Sequence, residues 1–295
     1  MDYRDEVFLA VAEGLSFSRA AEELYISQPA VTKHIKELER RLNIGLFERK
    51  GNKIYLTEAG KLTYDFLIRI RHHYGELEFQ LGRLSDAFIG SIRIGCSSTI
   101  SQYCIPKVLA AFYKRYPNIK LFVFNGNSFE MESKLLTNEI DLALVENESS
   151  RSEIHYRKFL EDEIVLVTAA QSEYAKRRTL SVDDLRQVPI VLREKGSGTL
   201  EVIQKSFARH SISVESLNIF IHLGSNESIK NFLCDFQGVA LISERAIEKE
   251  LLYKTLVRLN LLHLSFPREF RIALRHGHDT SGTTLFIDFL LNYNF

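Results

Sequence analysis

The chain has 295 residues, of which 45% are hydrophobic and 26% charged, and 38 basic side chains balance 38 acidic ones. No apolar run reaches the roughly 18 residues of a membrane span, and the acidic start Met1-Asp2-Tyr3-Arg4-Asp5-Glu6 is unlike an export signal. Cys96, Cys104 and Cys234 are odd in number and lack metal-ligand spacing, which argues against a disulfide framework. The expectation is a cytoplasmic protein of two or three domains, without metal, cofactor or membrane contact.

Residues 2–14 carry Val7, Phe8, Val11 and Ala12 at helical spacing and read as a first helix. Ser18-Arg19-Ala20-Ala21-Glu22-Glu23-Leu24 supplies a short helix of small residues that another can cross closely, and Tyr25-Ile26 makes a turn. Ser27 is then placed to cap a third helix whose first turn tolerates Pro29, because a proline there forfeits no intrahelical bond. Val31, Ile35, Leu38 and Leu42 recur at steps of four, three and four and form one buried stripe. The opposite face offers Gln28, Ala30, Thr32, Lys33, His34 and Lys36. Gln pairs bidentately with an adenine edge, Ala and the Thr methyl suit a thymine methyl, and Lys suits guanine or phosphate. Charge follows the same division: residues 1–26 hold two basic and six acidic side chains, whereas residues 27–61 hold eight basic and four acidic. The positive end of that dipole lies at the third helix, as attraction to DNA phosphates requires. Gly51-Asn52 is turn chemistry between two short extended segments, and the flanking Arg49, Lys50 and Lys53 read as a wing that meets the DNA backbone.

From residue 58 to 88 the spacing changes. Leu62, Phe66, Ile70, Tyr74, Leu77, Leu81, Leu84 and Phe88 advance by threes and fours, close to a heptad repeat. A helix of that length with one apolar stripe is unstable alone in water, so the stripe needs a partner.

These residues carry a resemblance. Ser16-Phe17-Ser18-Arg19-Ala20-Ala21, Leu24, the run from Ile26 to Glu39, Leu42, Gly45-Leu46-Phe47-Glu48-Arg49 and Leu56-Thr57-Glu58-Ala59-Gly60 are similar to the LysR-type bacterial transcriptional regulators. Thr32-Lys33 stand where Ser-Arg is commoner in that family, and His34 where Gln is common. The resemblance implies a winged helix-turn-helix over residues 1–57, a linker helix over 58–89 through which two subunits pair, and a two-lobed effector domain like the periplasmic binding proteins over 90–295. Lobe I takes about 90–162 and 267–295, and lobe II about 163–266. Its implied partners are operator DNA, contacted by Ser18, Arg19, Ser27, Gln28, Pro29, Ala30, Thr32, Lys33, Lys36, Arg49, Lys50 and Lys53, a small-molecule effector, and further copies of the chain in a homodimer or homotetramer.

The remainder reads independently as α/β. Strands are expected at 92–95, 119–124, 142–145, 164–169, 190–192, 219–222, 239–242 and 271–274. Helices are expected at 105–116, 128–137, 181–187, 199–210, 227–236 and 284–291. Such alternation argues for a parallel sheet covered by helices on both faces, with ligands beyond the carboxyl ends of the strands. Three segments there open helices: Ser97-Ser98-Thr99, Gly196-Ser197-Gly198-Thr199 and Gly224-Ser225-Asn226. Their hydroxyls and free amides suit a small carboxylate or an inorganic oxyanion. Similar Gly-Ser-Gly-Thr segments occur in the sulfur- and carbon-assimilation branch of the family, often followed by Arg; here Leu200 follows. Gly196-Ser197-Gly198 lacks nucleotide-binding spacing, His276-Gly277-His278 reads as a surface turn, and Cys96 as a small apolar filler. No catalytic constellation stands out. The expected function is therefore an effector-controlled, sequence-specific DNA-binding regulator, the alternative being an α/β enzyme with an accessory DNA-binding domain.

Overall fold

The computed structural model describes residues 1–51, 53–84, 89–276 and 280–295, without the side chains of residues 72, 78 and 83. Asn52 of the expected wing turn, Phe88 of the seam, the His72 side chain, and Gly277 and His278 lie outside these residues. The chain divides into two compact units, Met1–Gly90 and Ser91–Phe295. No helix among the described residues is long and apolar enough to cross a membrane.

The first unit contains α1 (Tyr3–Gly14), α2 (Phe17–Glu23), α3 (Gln28–Leu42), the hairpin β1 (Phe47–Lys50) and β2 (Lys53–Leu56), and the long α4 (Glu58–Leu84). Each short helix begins on a side-chain cap: Asp2 accepts from Arg4 N, Ser16 from Arg19 N and Ser27 from Ala30 N. These bonds satisfy amides that the first turn leaves without a helical partner. Val7, Phe8 and Val11 pack with Ala20, Ala21, Val31, Ile35, Leu38 and Leu46 in one core. The stripe on α3 stops at Leu38; Leu42 is exposed, because Asn43 turns left-handed (φ 53°) and ends the helix there. His34 also departs from its expected face. Its ring packs edge-on against Tyr3 of α1, with centroids 5.4 Å apart.

Helix α4 is anchored to this core by Leu67 and Ile68. Gly60 allows its first turn to approach the preceding loop, since a Cβ there would fall 2.1 Å from the Leu46 carbonyl oxygen. The expected seam lies elsewhere on the same helix. Leu62, Phe66, Ile70, Tyr74, Leu77, Leu81 and Leu84 are all at least 40% exposed within the single chain, an apolar stripe with no cover of its own.

The second unit begins with β3 (Gly90–Ser97), a π turn at Ile100–Cys104, α5 (Ile105–Arg115), β4 (Ile119–Gly126), α6 (Ser128–Leu136), β5 (Leu142–Val145) and β6 (Ile154–Ala169). It continues with β7 (Thr179–Leu180), α7 (Val182–Leu185), β8 (Ile190–Arg193), α8 (Gly198–Arg209), β9 (Ile219–Leu223), α9 (Asn226–Cys234) and β10 (Val239–Ser243). The chain closes with α10 (Glu248–Leu252), β11 (Leu256–Leu261), β12 (Phe266–Arg275) and α11 (Ser281–Leu291). One sheet runs β4-β3-β5-β12-β6-β10-β8-β9, with β11 paired to β6 and β7 to β11.

The sheet is mixed rather than parallel. β3 pairs parallel with β5, and β8 with both β10 and β9, but the central β6 and β12 run antiparallel to each other and to their neighbours. These two long strands belong to both halves of the sheet. β12 meets β5 at Arg271–Ala273, whereas the Ile164–Ala169 end of β6 meets β10 and β11.

Helices cover both faces, so strand side chains alternate between two cores. On β10, Val239 and Leu241 pack toward Phe207 of α8, and Ala240 and Ile242 toward Ile229 and Leu233 of α9. A strand buried on both sides reads as a continuous apolar run. In the other half, Met131 and Leu135 of α6 pack on Ala143 and Val145, and Phe112 of α5 meets Phe286 of α11 with ring centroids 5.2 Å apart.

Candidate functional site

Two regions bring candidate functional side chains together, one in each unit. In the first, α3 presents Gln28, Pro29, Lys33 and Lys36 to solvent, with Ala30 and Thr32 half-buried. Pro29, Thr32, Lys33, Lys36, Glu37 and Arg40 line a shallow groove of about 400 Å³ along this face. Gln28 Nε2 donates to Thr32 Oγ1 at 3.3 Å, and Thr32 Oγ1 donates to the Gln28 carbonyl at 3.1 Å. The Thr32 hydroxyl is thereby tied to its own helix and leaves the methyl to face outward contacts. Ser18 and Arg19 are exposed at the start of α2.

The wing pairs Lys50 with Lys53 in register, and Gly51 supplies the positive φ of the turn (62°). Lys50 is held by Glu48 at 2.7 Å, whereas Arg49 and Lys53 form no ion pair among the described residues. Arg49 and Lys53 thus carry charges unpaired among the described residues, whereas Lys50 would have to exchange partners to meet another anion, at little cost for an exposed pair.

The second region lies where the two halves of the sheet meet. Ser98 and Thr99 open a helix that passes through the π turn at Ile100–Cys104 before continuing as α5. Such single π turns recur at functional sites. Thr99 Oγ1 accepts from Asn226 Nδ2 at 3.1 Å, so two of the three expected segments do come together. Asn226 Oδ1 in turn accepts from Arg193 Nη1 at 3.3 Å. Arg193 closes β8, is fully buried, and is paired with Glu194 through Nε (2.8 Å) and Nη2 (3.0 Å).

Thr199 belongs to a second cluster. Arg268 of β12 donates from Nη1 to Thr199 Oγ1 at 2.9 Å, and Thr199 Oγ1 donates to Glu146 Oε1 at 3.2 Å. Arg268 Nε donates to Asp162 Oδ2 at 2.7 Å, and Asp162 also accepts from Ser243 Oγ at 2.8 Å. Arg268, Glu146, Asp162 and Thr199 are all almost completely buried.

The other expected residues play different parts. Ser98 Oγ donates to the Gly126 carbonyl at 3.2 Å. The Ser97 and Ser197 hydroxyls are buried with no hydrogen-bond partner among the described residues. Gly196 adopts φ +90°, and Gly198 lies so close to the end of β5 that a Cβ would fall 2.6 Å from Glu146 Cγ and 2.7 Å from Asn147 N. A cavity of about 640 Å³ adjoins, lined by Ser128, Asn147, Lys195, Gly196, Ser197 and His222 among others. Burial pushes the Cys104 thiol up to about 12 and the Cys96 thiol up as well, so neither is a thiolate at neutral pH.

Arg193, Arg268, Glu146 and Asp162 were not singled out in the sequence. Arg193 had a usable signal: it stands at the carboxyl end of a buried run, directly before the Gly-Ser-Gly-Thr loop. Arg268 had another. In Phe266-x-Arg268-x-Phe270 the period of two places a cation on the buried face of a strand.

Residues 85–294 match the LysR substrate binding domain, and residues 5–61 match the bacterial regulatory helix-turn-helix of the lysR family. The chain belongs to the LysR family of transcriptional regulators. A probable RuBisCO transcriptional regulator of Phaeodactylum tricornutum is 34% identical over 90% of this chain and 88% of its own length. The HTH-type transcriptional regulator CysL of Bacillus subtilis is 29% identical over 97% of this chain and 95% of its own. Among solved structures, the Synechocystis CcmR regulatory domain in complex with 2-PG is 26% identical, with a TM-score of 0.61, covering 68% of this chain and 95% of that one.

Family membership makes the chain a DNA-binding transcriptional regulator, and α3 and the β1–β2 hairpin both lie within the residues that match its helix-turn-helix. Replacing Gln28 or Lys33 by Ala is expected to weaken specific binding by roughly 1–3 kcal/mol through a lost base contact. Replacing Arg49 or Lys53 by Ala should weaken all duplexes alike. Parallel titrations of specific and random DNA separate the two; equal losses on both for Gln28→Ala would contradict the assignment of the reading helix.

Proposed function

We propose that this LysR-family regulator binds operator DNA as a homo-oligomer paired along α4, and that a small anion bound between the halves of its sheet controls it. It works by binding rather than turnover, in the cytoplasm where its DNA lies. Residues 1–57 read the operator, 58–89 pair the subunits, and the two lobes of 90–295, joined through β6 and β12, take the effector. The observation that carries the effector reading is the burial of Arg193 and Arg268 beside Thr99, Asn226 and Thr199. Buried cations among helix-opening hydroxyls make a low-dielectric site in which a carboxylate or oxyanion replaces its lost hydration. The 2-PG bound by the CcmR regulatory domain, a 2-phosphoglycolate, supports this chemistry.

The test is calorimetry of the full chain against 2-phosphoglycolate, small carboxylates and inorganic oxyanions. Thr99 Oγ1 accepts from Asn226, and its own proton has no acceptor among the described residues. Thr99→Val, which keeps the shape and removes that donor, is expected to weaken binding about tenfold to a hundredfold. If no anion binds, or if Thr99→Val leaves the affinity unchanged, the cleft is not the effector site.

A further inference from the structure

The cleft already holds carboxylates of its own, and they are not equally well held. Glu194 grips Arg193 through both oxygens. Asp162 faces Arg268 Nε and Nη2, each at 2.7 Å, and takes the Ser243 hydroxyl as well. Glu146 is different. It follows β5 in one half of the sheet and reaches the first turn of α8 in the other, where Oε1 accepts a single hydrogen bond from Thr199 Oγ1. Its Oε2 lies 3.3 Å from Arg268 Nη1 and is buried without a hydrogen-bond partner. Gly198 admits it, because a side chain there would overlap Glu146 Cγ. On the preceding residue the Ser197 hydroxyl, 2% exposed and also without a partner, lines the adjoining cavity.

A buried carboxylate with one hydrogen bond, whose second oxygen has only a 3.3 Å ion pair and no hydrogen bond, is less well compensated than Asp162, and a better acceptor should replace it. We propose that Glu146 is a tethered competitor: its carboxylate occupies the anion position at the start of α8, and the effector binds by displacing it. This inference rests on the anion-cleft reading above. The ligand must carry at least two acceptor oxygens on one centre, to meet both Thr199 and Arg268, which describes a carboxylate, sulfate or phosphate group. Because Glu146 spans the two halves of the sheet, its displacement breaks a contact between them. Ligand exchange and the change in lobe geometry are then a single event, which gives the effector the differential affinity that a conformational shift requires.

Glu146→Gln preserves the shape and removes the competing charge. If the tethered carboxylate fills the site about nine-tenths of the time, its removal raises apparent anion affinity about tenfold. The measurement is calorimetry of full-length parent and variant with sodium sulfate and with inorganic phosphate, at constant ionic strength set by chloride. At least about tenfold tighter binding by Glu146→Gln supports the proposal. If the parent binds these anions and Glu146→Gln binds no more tightly, the tethered competitor is refuted while the anion cleft stands. If neither protein binds sulfate or phosphate, the tethered competitor falls, and the anion cleft is decided by the carboxylates and 2-phosphoglycolate of the panel above. Glu146→Asp keeps the charge but withdraws it from Thr199 by one methylene, so its affinity should lie between the two. Should Glu146→Gln fail to fold, an unchanged affinity in Glu146→Asp overturns the proposal.

Discussion

Leu77→Glu is expected to separate the subunits of the full-length protein and, with them, to remove high-affinity operator binding. The seven apolar residues from Leu62 to Leu84 lie on the face of α4 away from its anchor at Leu67 and Ile68, and each is at least 40% exposed. Burying half of one such side chain contributes about 1 kcal/mol, so two copies of the stripe supply on the order of 10 kcal/mol before the costs of association. A glutamate at Leu77 would place two like charges at the centre of that seam without a partner. Burying an unpaired charge in an apolar seam costs several kcal/mol, and a cost of about 3 kcal/mol already raises the dissociation constant by about two orders of magnitude. Specific DNA affinity should fall in step, because two half-sites are recognised only when two reading helices are held at a fixed spacing. Sedimentation velocity at micromolar protein decides it: an unchanged oligomer would show that α4 is not the seam.

The first unit was legible almost residue by residue because its determinants are local. Ser27, Pro29 and the steps from Val31 to Leu38 fix where α3 begins and which face it buries. Leu42 and His34 were misplaced for a reason that periodicity does not contain. A stripe projected along an ideal helix does not know that Asn43 ends it, nor that Tyr3 of another helix has room beside His34.

The second unit was legible as α/β but not in its topology. Strand β6 was seen only from Ile164, where the apolar run begins; its first half, from Ile154 to Glu163, is rich in charge and held by the ladder with β12. Long-range pairing of that kind leaves little trace in local pattern. The glycine and hydroxyl loops were visible from their turn chemistry, and Thr99 with Asn226 do meet. The charges that answer them were not visible. Arg268 stands 69 residues from Thr199, and no spacing announces the pair.

Loss of the Arg268 side chain should cost the fold heavily. Its guanidinium reaches Asp162 through Nε and Nη2 and contacts both Thr199 and Glu146 through Nη1, all within a region closed to solvent. Arg268→Met fills a similar volume but leaves Asp162 and Glu146 buried without their common cation. Removing one partner from a buried pair is far more damaging than replacing the pair, because the remaining charge keeps its full desolvation penalty. The expected loss is about 3–5 kcal/mol, or roughly 10 °C in the unfolding midpoint of a domain this size. Arg268→Met combined with Asp162→Asn and Glu146→Gln takes away the stranded charges as well and should recover most of that loss, so the effects will be strongly non-additive. Denaturant unfolding of the single and triple variants, followed by circular dichroism, measures both quantities. A single-variant loss below about 1 kcal/mol would mean that water reaches the cluster and screens it, as it does for exposed pairs. A triple variant no more stable than the single one would mean that Arg268 acts through packing rather than charge.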